Sequence, residues 1–323
     1  MTTTLARSGL SAQGKKGSLP KRLKMMLMAP PKVGKTVIAH GMPRTRTIDF
    51  DDGMQSVEWA VKAGIIQRDL NDIVYETIKP SLNPKRDKKN PLQLAMDQVE
   101  KWIEEEDMPE GEWTEYCLSL GFNTPYTQLW DTLIIDSETF LKDAAINLGM
   151  QEAGRMGLSK SWADYKGGVL DTNKMTYPDW GAASKLIWKF NEWAVNLGKN
   201  VVVTVHEYTE TDESGNLVAI APNTIGQLRQ QLPALFDEFW GVDVSGTRDK
   251  PKYRIQTSPG LKKALGSRLG CLDPLEDADF EAIKDKVCKF YGVKKDILWK
   301  AYHGKKGVEM ALEESQEAEG ASV

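Results

Sequence analysis

Cysteine is scarce in this chain of 323 residues, and its three copies, Cys117, Cys271 and Cys288, lie far apart with no CxxC pair. That number and spacing exclude a disulfide framework and a thiolate metal site, and read as buried thiols in a reducing compartment. Histidine is equally rare: His40, His206 and His303 are too scattered to form a zinc site. No apolar run approaches the roughly 18–20 residues of a membrane span. The N-terminal segment lacks the long apolar stretch of a secretory signal, so a cytoplasmic protein with no membrane partner is expected. Each end lacks charge of one sign. Residues 1–24 hold Arg7, Lys15, Lys16, Lys21, Arg22 and Lys24 but no acid, and after Lys306 there is no base, only Glu309, Glu313, Glu314, Glu317 and Glu319. Both ends are poor in core-forming residues, so a disordered basic arm is expected over 1–22 and a disordered acidic tail over 306–323. Such an arm suits a nucleic-acid backbone, and such a tail suits competition for the same basic groove; the plainer reading is two solvated tails. A net charge of −4 excludes a polycation that grips nucleic acid along its whole surface.

What is present begins with a hydrophobic content of 41%, enough for a proper core. The length fits one large α/β domain with appendages, or two small ones. The most informative segment is the octapeptide Ala29, Pro30, Pro31, Lys32, Val33, Gly34, Lys35, Thr36. The apolar run Leu23–Met28 before it reads as a buried strand, and Val37-Ile38-Ala39 after it can open a helix. Strand, tight loop and helix N-terminus are the context that makes this motif a phosphate-binding loop. Successive backbone N–H groups point at a phosphate, and the helix N-terminus adds partial positive charge. Lys35 then bridges the β- and γ-phosphates of ATP, and the Thr36 hydroxyl holds Mg²⁺. The first motif position is Ala29 where glycine is usual. About 100 residues downstream, Leu133-Ile-Ile-Asp-Ser137 is an apolar strand ending in an acid. In P-loop proteins such an acid stands beside the loop and holds the Mg²⁺ shell, the role expected of Asp136.

From residue 23 onward strands and helices alternate. Strands are predicted at Thr45–Phe50, Ile73–Ile78, Asn200–Val205, Glu238–Val244 and Lys252–Thr257, and a polar hairpin at Glu207–Glu210 and Leu217–Ala221. Helices are predicted at Gln55–Ala63, Leu92–Glu106, Thr139–Leu148, Trp180–Leu197 and Gly226–Leu235, with Met108–Gln128 as an insertion. Two short helices over 275–303 are expected to form a small helical C-terminal subdomain, within bounds of 271–305. The alternation implies a mostly parallel sheet with helices on both faces and a ligand at the C-terminal ends of the strands.

Taken together, the loop Ala29–Thr36, the strand-end acid in Ile48-Asp-Phe-Asp51, Thr132–Ser137, Val201–Val205 with His206-Glu207, and Leu232–Asp237 resemble phage-encoded RecA-core ATPases, with the Sak-type single-strand annealing and recombination proteins as the nearest group. The resemblance covers about residues 20–270 and implies a RecA-like core over 23–270. It implies that Asp51, with Asp52 beside it, stands where the carboxylate that polarises the attacking water is found; a shorter Asp replaces the usual Glu. Glu138, two residues past Asp136, is the alternative position that other P-loop classes use. It implies for His206 a place beside the Asp136 strand, from which a polar side chain senses the γ-phosphate. Lys252, Arg254, Lys262, Lys263 and Arg268 stand where related filaments set basic residues against a neighbour's γ-phosphate. The implied partners are single-stranded DNA, further copies of the chain in a ring or filament, and a single-strand-binding protein.

Independently of that resemblance, Ser159–Trp180 mixes Lys160, Lys166 and Lys174 with Trp162, Tyr165 and Tyr177. Aromatics that stack bases among lysines that neutralise phosphates suit a single-strand groove, and the same aromatics equally suit a core. The function expected is a DNA-dependent ATPase that binds single strands and promotes annealing or recombination. A helicase, helicase loader or packaging-type motor, and an ATP-switched regulator that processes no DNA, are the alternatives.

Overall fold

The computed structural model describes residues 21–79, 90–152, 177–247, 250–260 and 262–320. Its strands are β1 (Lys24–Ala29), β2 (Thr45–Asp49), β3 (Ile73–Thr77), β4 (Thr132–Asp136), β5 (Asn200–Thr211), β6 (Leu217–Pro222), β7 (Glu238–Thr247), β8 (Lys250–Gln256), β9 (Gly266–Ser267) and β10 (Leu275–Asp277). They form one sheet in the order β10-β8-β7-β1-β5-β4-β2-β3, with β6 paired to β5 and β9 to β7. From β7 to β3 every neighbour is parallel, while β8 and β10 add an antiparallel edge. The helices are α1 (Lys35–Ala39), α2 (Gln55–Lys62), α3 (Pro91–Glu106), α4 (Glu110–Ser119), α5 (Glu138–Glu152), α6 (Tyr177–Val195), α7 (Leu228–Gln231), α8 (Phe280–Tyr291) and α9 (Gly304–Gly320). This is the mostly parallel α/β core, with helices on both faces, that the alternation of strands and helices predicts.

Side-chain alternation along the strands builds two cores, because successive residues face opposite sides of a sheet. On one face Met26, Met28, Ile48, Leu133, Ile135, Val201 and Val203 pack against α3, α5 and α6. On the other, Met25, Leu27, Ile134 and Val202 meet Ile38 of α1 and Phe280, Ile283 and Val287 of α8. Burial on both faces explains why the central strands read as unbroken apolar runs. The same parity sets Thr47, Asp49, Asp136, Thr204 and His206 on the face that carries α1. Local signals start the helices. Asn90 caps α3 by accepting from the Leu92 N–H at 2.8 Å, Gln93 returns the bond to the Asn90 N–H, and Pro91 takes the first turn. Asp279 caps α8, and Gly292, at φ 63°, ends it in the left-handed region.

One expectation gains detail and two are corrected. The insertion at Met108–Gln128 contains α4, whose Trp113 and Cys117 pack with Tyr126. The segment 275–303 contains one helix rather than two: β10 joins the main sheet beside β8, and α8 packs on the sheet, its Phe280 stacked on Trp240. The acidic tail is helical as far as Gly320 rather than disordered. Low mean hydropathy hid a helix held by polar contacts. The Gly304 and Lys305 N–H groups donate to Glu106 and Asp107 at the end of α3, Ala311 is buried, and Glu314 accepts from Lys21, Arg22 and Tyr302.

Glu106 also meets Lys199, at the entry to β5, in an ion pair whose two side chains are fully buried, with N–O distance 2.8 Å. The same ammonium donates to the Trp130 carbonyl and lies over the Trp130 ring, and His303 bonds to Glu106. Removing one partner of such a pair strands a charge in the core, at about 3–5 kcal/mol. Lys199→Ala and Glu106→Ala are therefore expected to lose about that much each in urea denaturation, and Lys199→Met combined with Glu106→Leu much less. Equal losses in the single and double variants would show that the pair is not coupled.

Candidate functional site

The C-terminal end of β1 runs directly into the loop Ala29–Thr36, and α1 starts at Lys35. Gly34 precedes it at φ 88°, and a Cβ there would overlap the ring of Tyr253 from β8, so both backbone and packing require glycine. Lys35 is almost fully buried. Its ammonium donates to the loop's own Ala29 and Pro30 carbonyls at 3.1 and 2.9 Å. Burial pulls its pKa down to about 8 against the opposing pull of Asp136, Asp51 and Glu207.

Asp136 ends β4, next to β5, with no exposure to solvent worth the name. The Thr36 hydroxyl donates to one of its oxygens at 2.5 Å, and the Thr204 hydroxyl of β5 donates to the other. Burial raises its pKa, and the two hydroxyls hold it down. Asp49, at the end of β2, accepts from the Asp51 and Gly53 N–H groups at 3.2 Å each and from the Thr77 hydroxyl. This turn swings Asp51 inward. One carboxylate oxygen from each of Asp49, Asp51 and Asp136 lies within 4.8 Å of the others. Burial, then Asp136 and Asp49, push the Asp51 pKa up to about 7 while Lys35 pulls it back. Asp52 takes the opposite course: at φ 62° it turns outward and pairs with Lys79 at 2.5 Å.

A cavity of about 420 Å³ gathers Lys32, Lys35, Thr36, Asp51, Asp136 and His206, with Trp59 and Tyr253 at its side. The Asp51 Oδ1 atom is buried there without a hydrogen-bond partner. Crowded carboxylates, an orphaned carboxylate oxygen and the Thr36 hydroxyl are a hard-oxygen donor set that fits Mg²⁺. A second, adjoining cavity of about 730 Å³ is walled by Trp59, Val244, Pro251 and Tyr253. His206 lies edge-on to Phe140, and its backbone N–H donates to Thr139. Burial, then Lys35 and Lys142, lower its pKa to about 4, so the ring is neutral.

Lys35, Thr36, Asp51, Asp136 and His206, singled out from the sequence, thus share one cavity. Others do not. Glu138 is fully buried outside the cavity lining, its Oε2 accepting from Asn191 at 3.1 Å. Lys252 and Arg254 pair with Asp277, Arg268 with Asp237, Lys263 with Glu207, and Lys262 donates to the Leu217 carbonyl, so each has a partner within its own chain. Lys160, Trp162, Tyr165, Lys166 and Lys174 lie outside the described residues, and Tyr177 opens α6. Sequence reading missed Asp49, Thr204, Trp59 and Tyr253. Strand parity carries a signal for Thr204; Tyr253, over 200 residues from the loop, has none.

Burial pushes the Glu138 carboxyl up to about 8, with its Oε1 unpartnered. Between the pH at which an unfolded glutamate ionises and pH 8, the folded protein keeps a proton that the unfolded chain has lost. Stability therefore falls as pH rises through that window. Glu138→Gln is expected to stabilise the nucleotide-free protein at pH 7 by on the order of 3 kcal/mol, to change little at pH 4, and to retain ATP turnover. Thermal midpoints at the two pH values check it; loss of turnover would return Glu138 to the reaction.

No curated protein matches the sequence. Among solved structures, the flagellar accessory protein FlaH from Methanocaldococcus jannaschii aligns at 11% identity over 84% of this chain and 91% of its own, with a TM-score of 0.34, a likeness at which no property is carried over. The model of the AAA domain matches residues 21–268, which contain the phosphate loop, Asp51, Asp136 and His206. The chain therefore belongs to the AAA domain family of P-loop ATPases.

Proposed function

We propose that this chain is a Mg²⁺-dependent ATPase that binds single-stranded DNA and works as an oligomer in strand annealing or recombination. The convergence of Lys35, Thr36, Asp51 and Asp136 on one cavity carries the ATPase half. Lys35 leaves the loop carbonyls for the β- and γ-phosphates, and the loop N–H groups hold the β-phosphate. Thr36 and Asp136 would hold Mg²⁺, which neutralises charge developing on the phosphates. Asp51 orients the attacking water and takes its proton, a role suited to a carboxyl with a pKa of about 7. The base rests between Trp59 and Tyr253 in the adjoining cavity, where aromatic and apolar walls suit a purine. His206, beside Lys35, loses a partner when the γ-phosphate leaves. It is followed directly by Glu207, the first residue of β5 paired to β6, so the hairpin receives the change.

The DNA half is supported by the motif resemblance and by the acid-free N-terminal segment. Single strands are bound more tightly with ATP than without, with little sequence preference, because grooves form across adjacent subunits whose interface ATP orders.

Lys35→Ala is expected to abolish hydrolysis and greatly weaken ATP binding in a folded protein. Asp51→Asn should keep ATP affinity and lose about 10²-fold or more in kcat, whereas Asp136→Asn should also raise the Mg²⁺ requirement. Wild-type turnover in Lys35→Ala would remove the site assignment.

For the DNA half, oligonucleotide affinity should rise with ATP and fall steeply with salt, as lysines and arginines displace counterions from phosphates. Forked-duplex unwinding would favour a helicase. Undetectable binding at low salt with ATP present would leave an ATP-switched regulator.

A further inference from the structure

The matched family ends at residue 268, and the chain continues with β10, α8 and a turn over 292–299. The inner face of α8, Phe280, Ile283 and Val287, is committed to the core. At its last turn Phe290 is 65% exposed, more than any other large apolar side chain among the described residues, and Ile297 follows at 61%. Within 280–300 six lysines face three carboxylates. Lys286 pairs with Asp273 and Glu276, and Lys295 with Glu281 and Asp285. Lys289, Lys294 and Lys300 are exposed and make no ion pair among the described residues.

Hydrogen bonds place this patch at the N-terminal end of the parallel strands. The Tyr291 hydroxyl donates to the Leu269 carbonyl, next to Arg268, which pairs with Asp237 just before β7. The Trp299 carbonyl accepts from Asn200 at the start of β5, and Arg22 lies over the Tyr302 ring. Toward this end of the sheet, away from the nucleotide cavity, Arg22, Lys21 and Arg268 are answered by Glu314 and Asp237. The unpaired charges of the patch are therefore Lys289, Lys294 and Lys300, beside a Phe290 ring that packs edge-to-face on Tyr291 and is otherwise open.

We infer that Phe290, Lys289, Lys294 and Lys300 form a single-stranded nucleic-acid site that works without bound nucleotide. A ring with a free face stacks any base, and unpaired lysines around it neutralise the phosphates on either side. A membrane surface would need a continuous apolar helix face, and that of α8 is buried in the core. The site shares only its ligand class with the reading above; it lies at the other end of the sheet.

The test measures anisotropy of a labelled oligothymidine of about 30 nucleotides with the full-length protein, with and without ATP, across salt. Phe290→Ala is expected to weaken nucleotide-free binding about tenfold, at an unchanged thermal midpoint and salt slope, with Phe290→Trp restoring it. The triple variant K289E/K294E/K300E should flatten the salt slope by about 2. Both should hydrolyse ATP at the wild-type rate without DNA and keep the ATP-dependent gain in affinity. Wild-type binding in both variants overturns this site and leaves the ATP-dependent reading standing; loss of the ATP gain in wild-type protein, with the Phe290→Ala defect present, does the reverse. Anionic vesicles competing the oligonucleotide off through Phe290 would assign the patch to a membrane surface instead.

Discussion

Asp136 is a carboxylate shut away from water, and two threonine hydroxyls from different elements fill its two oxygens. Thr36 brings the phosphate loop and α1; Thr204 brings β5. Because the strands are parallel and their side chains alternate, this one group ties the loop to the centre of the sheet and dictates which face the site occupies. The buried cost of its charge is offset only while both hydroxyls stay in place. Everything else in the cavity is arranged around that fixed point: Asp51 by the turn built on Asp49, Lys35 by its place as the first residue of α1.

The two ends of the sheet treat charge in opposite ways. Where β5 begins, Lys199 and Glu106 share a buried pair further bonded to Trp130, His303 and Gly304, so both buried charges have partners. Where β1, β2 and β4 end, three carboxylates crowd together, two of them sharing a cavity with Lys35, and an Asp51 oxygen has no partner. The first arrangement stabilises; the second keeps free energy in reserve, lowered when a cation and a polyphosphate arrive.

The site was legible in the sequence wherever its parts are local. The octapeptide before α1 and the acid ending Leu133–Asp136 are short patterns whose chemistry needs those residue types at those positions. Alternation of strands and helices likewise gave the parallel sheet, since apolar runs buried on both faces are hard to mistake. What escaped depends on contacts between distant segments. Asp51 and Asp52 are indistinguishable until the turn sends one inward and the other to Lys79. Tyr253 reaches the loop only because β8 folds back beside β7. The C-terminal helix escaped for a different reason: its composition is that of a solvated tail, and its hold on α3 comes from hydrogen bonds at its N-terminus that carry no hydrophobic pattern.

That helix also fixes the end of the sheet at which Lys21 and Arg22 stand. Lys21 and Arg22 are tethered to Glu314 just before β1, and β1 then runs six residues, roughly 20 Å, to the phosphate loop. Lys21 and the phosphate loop therefore stand at opposite ends of β1, with the strand's whole length between them. Anything that reached both Lys21 and Lys35 would have to span that distance.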